Sequence, residues 1–310
     1  MEETICERSV GSIANEIVRK ETVAPGFTLM EIRAPDIAEK IQAGQFMILR
    51  VDEAGERIPM SVADWDRERG TVTLVFQELG LSTKKLGLME PGQRLANLAG
   101  PLGKAAEVGH FGTVAIVSGC FGTGPGYALA KALKGAGNRV IYIAEAFRGE
   151  FHFWLDRLAE VADRLIVASG DMTVGSARWA KDPLRDLLES EEIGRVYLIG
   201  CTFMMATCSR ASEPFGVETR ASLMPIMIDG TGMCGACRVN VAGETKLACV
   251  EGPEFAGLDV DWSELMERAR GYLKEEERAL DLWEIDNWHL VRFRDRGPEE
   301  RRKRGGPRRW

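Results

Sequence analysis

The chain has 310 residues, of which 45% are hydrophobic and 28% charged, a composition typical of an ordinary globular protein of about two domains. Its net charge of −7 disfavours nucleic acid as the main partner, and no apolar run approaches the ~18 residues of a membrane span. The seven cysteines are odd in number and unevenly spaced, so we expect a metal or redox site rather than a disulfide scaffold. The N-terminus does not have the pattern of a signal peptide, and we expect the protein in the reducing cytoplasm.

Short strands separated by turns are predicted for roughly the first hundred residues. The candidates are Ser12–Lys20, Thr28–Ile32, Gln45–Val51 and Thr71–Gln77. Pro-Gly pairs mark two of the turns between them. Strands at this spacing predict a small antiparallel β-barrel, which we assign to residues 1–108.

Two polar motifs fall within this predicted barrel. In the first, Glu56-Arg57-Ile58-Pro59-Met60-Ser61, the Arg57 guanidinium can bind a flavin pyrophosphate and the Ser61 hydroxyl can bond to the flavin ring. The second motif, Gly80-Leu81-Ser82-Thr83, offers hydroxyl and backbone N–H groups to phosphate. An ordinary surface loop is the alternative for both, because patterns such as Arg-x-Pro-x-Ser are common by chance.

From about residue 111 the predicted strands alternate with helices. The strands are Thr113–Ser118, Val140–Ala144, Arg164–Ala168 and Val196–Ile199, and the helices are Tyr127–Lys134, about 152–161 and about 183–190. This alternation predicts an α/β domain over residues 109–220, with a parallel sheet covered by helices on both faces.

A glycine-rich loop follows the first of these parallel strands. Gly119, Gly122 and Gly124 lie between that strand and the next helix, where a dinucleotide pyrophosphate would meet a helix N-terminus. The order of the glycines differs from G-x-G-x-x-G, so a purely structural turn is the alternative.

Acidic and basic side chains at the end of the second parallel strand leave the choice of nicotinamide open. Glu145 is suited to hold a ribose 2′-hydroxyl and favours NAD, whereas Arg148 supports NADP. Cys201 ends a later strand at the edge where such sheets bind ligands, and either faces the nicotinamide or is a small buried thiol.

The strongest signal is a group of three cysteines spaced C-x2-C-x11-C, at Cys234, Cys237 and Cys249. A plant-type [2Fe–2S] site has the spacing C-x4-C-x2-C with a distant fourth cysteine, and Asp229 occupies the first position of that pattern. A carboxylate is a workable, harder iron ligand. Zinc and plain structural thiols are the alternatives, but zinc usually takes four Cys or His ligands and no histidine lies near this segment. The cluster domain is assigned to residues 221–262.

The last segment, residues 263–310, is predicted to contain one helix and a basic tail. An apolar stripe at helical spacing predicts the helix from Ser263 to about Asp286. Residues 291–310 contain nine Lys or Arg and three Asp or Glu. We interpret them as a solvated, disordered end or as a docking element for an acidic partner.

Taken in this order, the motifs resemble the ferredoxin–NADP reductase superfamily with a C-terminal [2Fe–2S] insert. Within it, they resemble the small (alpha) subunits of NADH-dependent reduced ferredoxin:NADP oxidoreductase, also called sulfide dehydrogenase. The resemblance covers about residues 12–265 and is densest over 225–239. The electron-transfer subunit of dihydroorotate dehydrogenase is a related family that carries four cysteines at the cluster, so Asp229 favours the first family.

The resemblance implies an electron-transfer subunit with FAD, one [2Fe–2S] cluster and NAD(H) or NADP(H). It implies cofactor-binding residues at Arg57, Pro59, Met60, Ser61, Gly80, Ser82, Thr83, Gly119, Gly122, Gly124 and Glu145, and cluster ligands at Asp229, Cys234, Cys237 and Cys249. The implied partner is a larger oxidoreductase subunit with its own flavin and iron–sulfur clusters, with ferredoxin as a further partner. No side chain is expected to act as a general acid or base. The alternatives are a subunit of a hydrogenase or dihydroorotate dehydrogenase, and a non-catalytic metal-binding module.

Overall fold

The computed structural model describes residues 14–175 and 179–288. The predicted basic tail at 291–310 and the first residues of the strand predicted at 12–20 lie outside the described residues. None of the described helices is long and apolar enough to cross a membrane. The chain forms a barrel, a mainly parallel sheet with helices, and a small cysteine-bearing segment.

Seven strands form the barrel, in two sheets with the orders β1-β2-β6-β5 and β4-β3-β7. The strands are β1 Ile17–Ala24, β2 Phe27–Arg33, β3 Phe46–Arg50, β4 Arg57–Ser61, β5 Asp64–Asp66, β6 Thr71–Gln77 and β7 Asn97–Leu102. All neighbouring strands pair antiparallel. The predicted antiparallel barrel is therefore confirmed.

The barrel also contains two helices that the sequence analysis missed, α1 Pro35–Lys40 and α2 Leu81–Leu88. Only strands and turns were expected in this part of the chain, and that expectation was wrong. α1 is six residues long, too short for a clear period. In α2 only Leu86 and Gly87 are buried, so its apolar pattern is weak.

The strand β3 has two apolar faces, because successive side chains of a strand point to opposite sides. Met47 and Leu49 belong to the core inside the barrel. Phe46 and Ile48 belong to a second core, shared with the parallel sheet and with Cys237 and Cys249. The outer face of β3 therefore joins the barrel to the rest of the molecule.

The second sheet has the order β10-β9-β8-β11-β12-β15. Its strands are β8 Thr113–Gly119, β9 Arg139–Ala146, β10 Arg164–Ser169, β11 Arg195–Ile199, β12 Thr219–Ser222 and β15 Glu254–Ala256. Five strands run parallel, and β15 pairs antiparallel with β12. The predicted parallel sheet is confirmed, and β15 attaches the cysteine-bearing segment to it.

Four helices connect these strands: α3 Thr123–Gly135, α4 Leu155–Val161, α5 Lys181–Ser190 and α6 Thr202–Ser212. The first three correspond to predicted helices, although α3 begins four residues earlier than expected. The helix α6 was not predicted. Its sequence mixes Thr, Ser and Met without a clear polar face, so only its packing on the sheet identifies it.

The C-terminal part of the described chain is a hairpin, β13 Arg238–Val241 and β14 Glu244–Leu247, followed after β15 by α7 Trp262–Arg268 and α8 Leu273–Asp286. The prediction of one helix from Ser263 to Asp286 was wrong, because a turn containing Gly271 separates α7 from α8. The N-cap of α7 is Asp261, whose carboxylate accepts a bond from the Glu264 N–H.

Candidate cofactor sites

The Arg57 motif forms the strand β4, so the surface-loop alternative for these residues was wrong. Ile58 and Met60 pack against the core of the barrel. Because side chains alternate along a strand, Arg57, Pro59 and Ser61 face the other side of the sheet. Arg57, Pro59 and Ser61 therefore share one outward face, and the Met60 side chain is turned away from it.

The second polar motif begins α2 and contacts the first. The Ser82 hydroxyl donates to the carboxylate of Glu56 at 3.0 Å, which holds the start of α2 beside the start of β4. The Thr83 hydroxyl accepts the N–H of Gly80 at 3.1 Å and so caps its own helix. The structure brings the two predicted flavin motifs together, with the Thr83 side chain already engaged in the cap.

Two residues near these motifs, Arg50 and Asn97, were missed by the sequence analysis. They line a cavity of about 150 Å³ together with Arg57. In the sheet, Arg50 is opposite Arg57 on β4 and opposite Asn97 on β7. Neither residue belongs to a recognisable motif, and only the strand pairing brings them to Arg57.

The glycine-rich loop lies at the carboxyl end of β8. Gly119 is the last residue of β8, and Gly122 ends a short 3-10 turn before α3. A Cβ on Gly122 would lie 2.1 Å from the carbonyl oxygen of Ile199, so only glycine allows this approach to β11. Gly124 lies within α3, where a Cβ would meet Ala63 of the barrel at 2.8 Å. Gly119 and Gly122 therefore shape the sheet edge, whereas Gly124 packs α3 against the barrel.

Glu145 lies at the same edge, at the end of β9. Its Oε2 atom accepts the Ala180 N–H at 2.6 Å, and burial raises the pKa of this carboxyl group. Burial also raises the pKa of Cys120 to about 12, and it raises the pKa of Cys201, whose sulfur accepts the Met204 N–H at 3.4 Å. These two thiols are held in the protonated form at neutral pH.

Two of the predicted cluster ligands are brought together by the β13–β14 hairpin. Cys237 precedes β13 and Cys249 follows β14, and the pairing of Arg238 with Leu247 holds that end of the hairpin closed. Both cysteines are buried, and their sulfur atoms are 3.1 Å apart. The spacing x11 between these cysteines is thus the length of one hairpin with its flanking residues.

The other two predicted ligands lie in the exposed loop before the hairpin. The backbone N–H groups of Ala236 and Asp229 lower the pKa of Cys234, which favours its thiolate. Hydrogen bonds from Thr231 and from the Met233 N–H lower the pKa of Asp229. The bonds from the Thr231 and Met233 N–H groups both fall on Oδ2, at 3.0 and 3.3 Å.

The donor set fits an iron–sulfur cluster in its chemistry. Thiolates are the usual ligands of such clusters, and a carboxylate is an oxygen donor that iron accepts. Among the described residues, no group of three or more His, Cys, Asp or Glu side chains lies close enough together to hold a metal ion. Cys237 and Cys249 are in contact with each other, whereas the positions of Cys234 and Asp229 are determined by the loop that precedes the β13–β14 hairpin.

The cluster loop is seated on the outer face of the barrel. Gly230 has a φ of +82°, which strongly favours glycine. A Cβ at this position would lie 2.8 Å from a methyl carbon of Leu102 and 2.9 Å from Cγ1 of Ile48. Ile48 pairs with Pro59 of the flavin motif. The cysteine loop and the flavin motif therefore meet on one face of the sheet.

The chain is similar to known proteins in its cysteine segment and over most of its length. The family model for the iron–sulfur cluster binding domain of dihydroorotate dehydrogenase B matches residues 225–261. A Thermotoga maritima protein, "dihydroorotate dehydrogenase B (NAD(+)), electron transfer subunit homolog", is 38% identical over 271 residues, which are 87% of this chain and 96% of that protein. The chain belongs to this family of electron transfer subunits.

Solved structures extend the comparison. One described as "Insights into flavin-based electron bifurcation via the NADH-dependent reduced ferredoxin-NADP oxidoreductase structure" matches this electron transfer subunit with a TM-score of 0.85 and 37% identity, over 89% of this chain and 99% of that one. Phthalate dioxygenase reductase has a TM-score of 0.53 and 16% identity over 73% and 85% of the two chains, and shares the fold.

These comparisons confirm the predicted family, the three-part fold and the cofactor classes: FAD, an iron–sulfur cluster and a nicotinamide dinucleotide. The match of the cluster domain favours an iron–sulfur cluster over zinc or structural thiols for the cysteine group. The individual cofactor-binding and ligand residues remain predictions.

Proposed function

We propose that this electron transfer subunit is an NAD(P)H-dependent flavoprotein that exchanges electrons with a larger partner subunit through FAD and one [2Fe–2S] cluster. The contact of Gly230 with Ile48 carries the proposal, because it seats the cysteine loop on the face that presents Arg57, Pro59 and Ser61. The chemistry that the bound cofactors supply is hydride exchange between nicotinamide and flavin and one-electron exchange between flavin and cluster.

The protein residues bind and orient the cofactors. Arg57 and the N-terminus of α2 are suited to hold the flavin diphosphate, since a guanidinium and helix N–H groups both bind phosphate. Ser61 is suited to bond to the flavin ring. Gly119 and Gly122 let the chain pass close to β11 at the carboxyl edge of the parallel sheet, the place where such folds bind dinucleotides.

The four cluster ligands divide into two pairs. Cys237 and Cys249, which are in contact and buried, would hold one iron. Asp229 and Cys234 of the exposed loop would hold the other. The lowered pKa values of Asp229 and Cys234 favour the ionised forms that iron binds, whereas burial and the neighbouring Cys237 raise the pKa of Cys249 to about 12.

The surface around the cysteine loop suits the larger subunit. Met233 is 88% exposed, Ile228 is 49% exposed and Val250 is 44% exposed, so apolar side chains surround the exposed ligands. Contiguous exposed apolar residues mark interaction sites. We infer that the larger subunit, with its own flavin and iron–sulfur clusters, docks here, and that ferredoxin exchanges electrons with the complex.

The unpaired Cys120, Cys201 and Cys208 support a reducing, cytoplasmic location.

The test is cofactor analysis of the chain purified without oxygen. We expect about one flavin and two iron atoms per chain, bleaching of the flavin by NADH or NADPH, and an electron paramagnetic resonance signal of a reduced [2Fe–2S] cluster after dithionite. Comparing the two nicotinamides decides between NAD and NADP. A colourless, flavin-free protein would refute the proposal and favour the metal-binding module.

The second candidate is the electron transfer subunit of a dihydroorotate dehydrogenase, favoured by the match of residues 225–261 and by the name of the Thermotoga relative. Asp229, in place of a fourth cysteine, supports the ferredoxin:NADP oxidoreductase type instead. Co-purification with the protein encoded beside this chain discriminates them. Reduction of the complex by dihydroorotate would establish the second candidate.

A further inference from the structure

A cavity of about 150 Å³ lies where β4 begins, at the opposite end of that strand from Ser61. Arg50, Arg57 and Asn97 line it, as direct neighbours across three strands. Pockets for whole small molecules usually measure ~300–1,000 Å³, so this cavity suits one part of a larger ligand.

The cavity carries positive charge that the protein neutralises only in part. Like charges directly opposite each other in an antiparallel sheet repel, and Arg50 is opposite Arg57. Glu53 accepts a bond from Nη2 of Arg50 at 2.6 Å. Arg57 forms no salt bridge within the described part of the chain, although its charge lowers the pKa of Asp229. An anion between the two arginines would relieve their repulsion.

Two buried polar atoms at the cavity also lack partners. Nε of Arg50 is a hydrogen-bond donor and Oδ1 of Asn97 is an acceptor, and neither makes a hydrogen bond to a described residue. Buried polar groups are nearly always paired, because leaving them unpaired costs free energy. A ligand that fits this cavity therefore needs an anionic group for the arginines and a hydrogen-bond donor for Asn97.

We propose that Arg50 and Asn97, together with Arg57, bind the adenylate half of FAD and select FAD over FMN. The proposal rests on the proposed function. Adenylate has the two required groups, a phosphate and a hydroxyl or amino donor. Arg57 lies about 13 Å from Ser61 along β4, at ~3.3 Å per residue. The cavity is therefore about the length of one flavin away from Ser61, the residue assigned to the flavin ring. FMN ends at its single phosphate and leaves Asn97 unpaired.

The test compares flavin affinities of Arg50→Gln, Arg50→Lys and Asn97→Ala with those of the unchanged full chain. Flavin-free protein is titrated with FAD and with FMN, and the quenching of flavin fluorescence is measured. Arg19→Gln is the matched control, since Arg19 is an exposed arginine of the same barrel that pairs with Glu21. Circular dichroism verifies that each variant is folded.

We expect Arg50→Gln to weaken FAD binding about ten- to hundredfold, as for the loss of one charge-assisted hydrogen bond, and to leave FMN binding within about twofold. Arg50→Lys recovers part of the loss, because it restores the charge without Nε. AMP competes with FAD in the unchanged chain and fails to compete in Arg50→Gln. The Arg19→Gln control binds both flavins normally.

Two results would overturn the assignment: equal FAD affinity in Arg50→Gln and the unchanged chain, or a parallel loss of FAD and FMN affinity. If Asn97→Ala lowers the folded fraction, the flavin affinities of the two Arg50 variants decide whether the assignment holds. An unchanged chain that binds neither flavin refutes the proposed function itself, which separates the two failures.

Discussion

The seating of the cysteine loop on the barrel can be tested by adding one methyl group at Gly230. The substitution Gly230→Ala places a side chain at a φ of +82°, which costs about 1–2 kcal/mol for an L-residue. The added Cβ also comes within 2.9 Å of Ile48 and 2.8 Å of Leu102. Ile48 is fully buried, and overpacking of this kind costs about 1–3 kcal/mol more.

A second glycine of the cluster segment separates these two costs. Gly243, in the turn of the β13–β14 hairpin, has a φ of +78° but no atom within 4 Å of an added Cβ. Gly243→Ala therefore carries the backbone cost alone. The difference between the two variants, about 1–3 kcal/mol, measures the packing of the loop against the barrel.

The assay measures iron and acid-labile sulfide per chain together with the urea midpoint of unfolding. We expect Gly230→Ala to lose stability beyond Gly243→Ala and to retain less cluster, because Asp229 precedes the displaced glycine and Cys234 follows it four residues later in the same loop. Gly243→Ala should retain normal iron. Equal stability and equal iron in the two variants would refute the contact between the cysteine loop and the outer face of β3.

Three further predictions address the other parts of the molecule. Gly122→Ala should destabilise the chain by ~1–3 kcal/mol and weaken NAD(P)H binding in titrations, because its Cβ would meet backbone at 2.1 Å. Gly135→Ala, at the end of the helix α3 that follows Gly122, meets nothing within 4 Å and should be neutral. Met233→Glu should weaken co-purification with the larger subunit about tenfold or more. Leu258→Glu, a control at another exposed apolar residue, should leave co-purification unchanged. Equal effects of the two substitutions would reject docking at the cysteine loop. Burial raises the pKa of the Glu254 carboxyl group from 4.5 to about 7. The folded chain should therefore lose ~1–3 kcal/mol of stability as the pH rises between those two values, because the buried carboxyl group must then ionise. Urea unfolding of Glu254→Gln should not show this loss.

Elements with a local signature were predictable from the sequence. The buried parallel strands are continuous apolar runs, and the predicted Thr113–Ser118 and Val196–Ile199 correspond to β8 and β11 within one residue. The cysteine spacing was equally informative, because the short β13–β14 hairpin fixes which cysteines meet. In each case the residues that determine the structure are neighbours along the chain.

Features that depend on pairing between distant segments were not predictable. Arg50 and Asn97 lie 47 positions apart in the sequence, and only the register of β3 with β7 brings them together. The bond from the Ala180 N–H to Glu145 likewise depends on how a distant loop returns to the sheet edge. That bond already engages one oxygen of the carboxylate predicted for the ribose.

The two assignments that matter most for electron transfer depend on the same strand. Ile48 of β3 contacts the cysteine loop at Gly230 and pairs with Pro59 of the flavin motif. Neighbouring strands are ~4.8 Å apart, so the seat of the cluster loop and the flavin motif are one strand spacing apart. The parallel sheet is also fixed to the barrel, where Gly124 of α3 meets Ala63. Because the barrel holds both neighbours through close glycine contacts, we expect electrons to pass from the proposed flavin site to the cysteine loop without a domain movement.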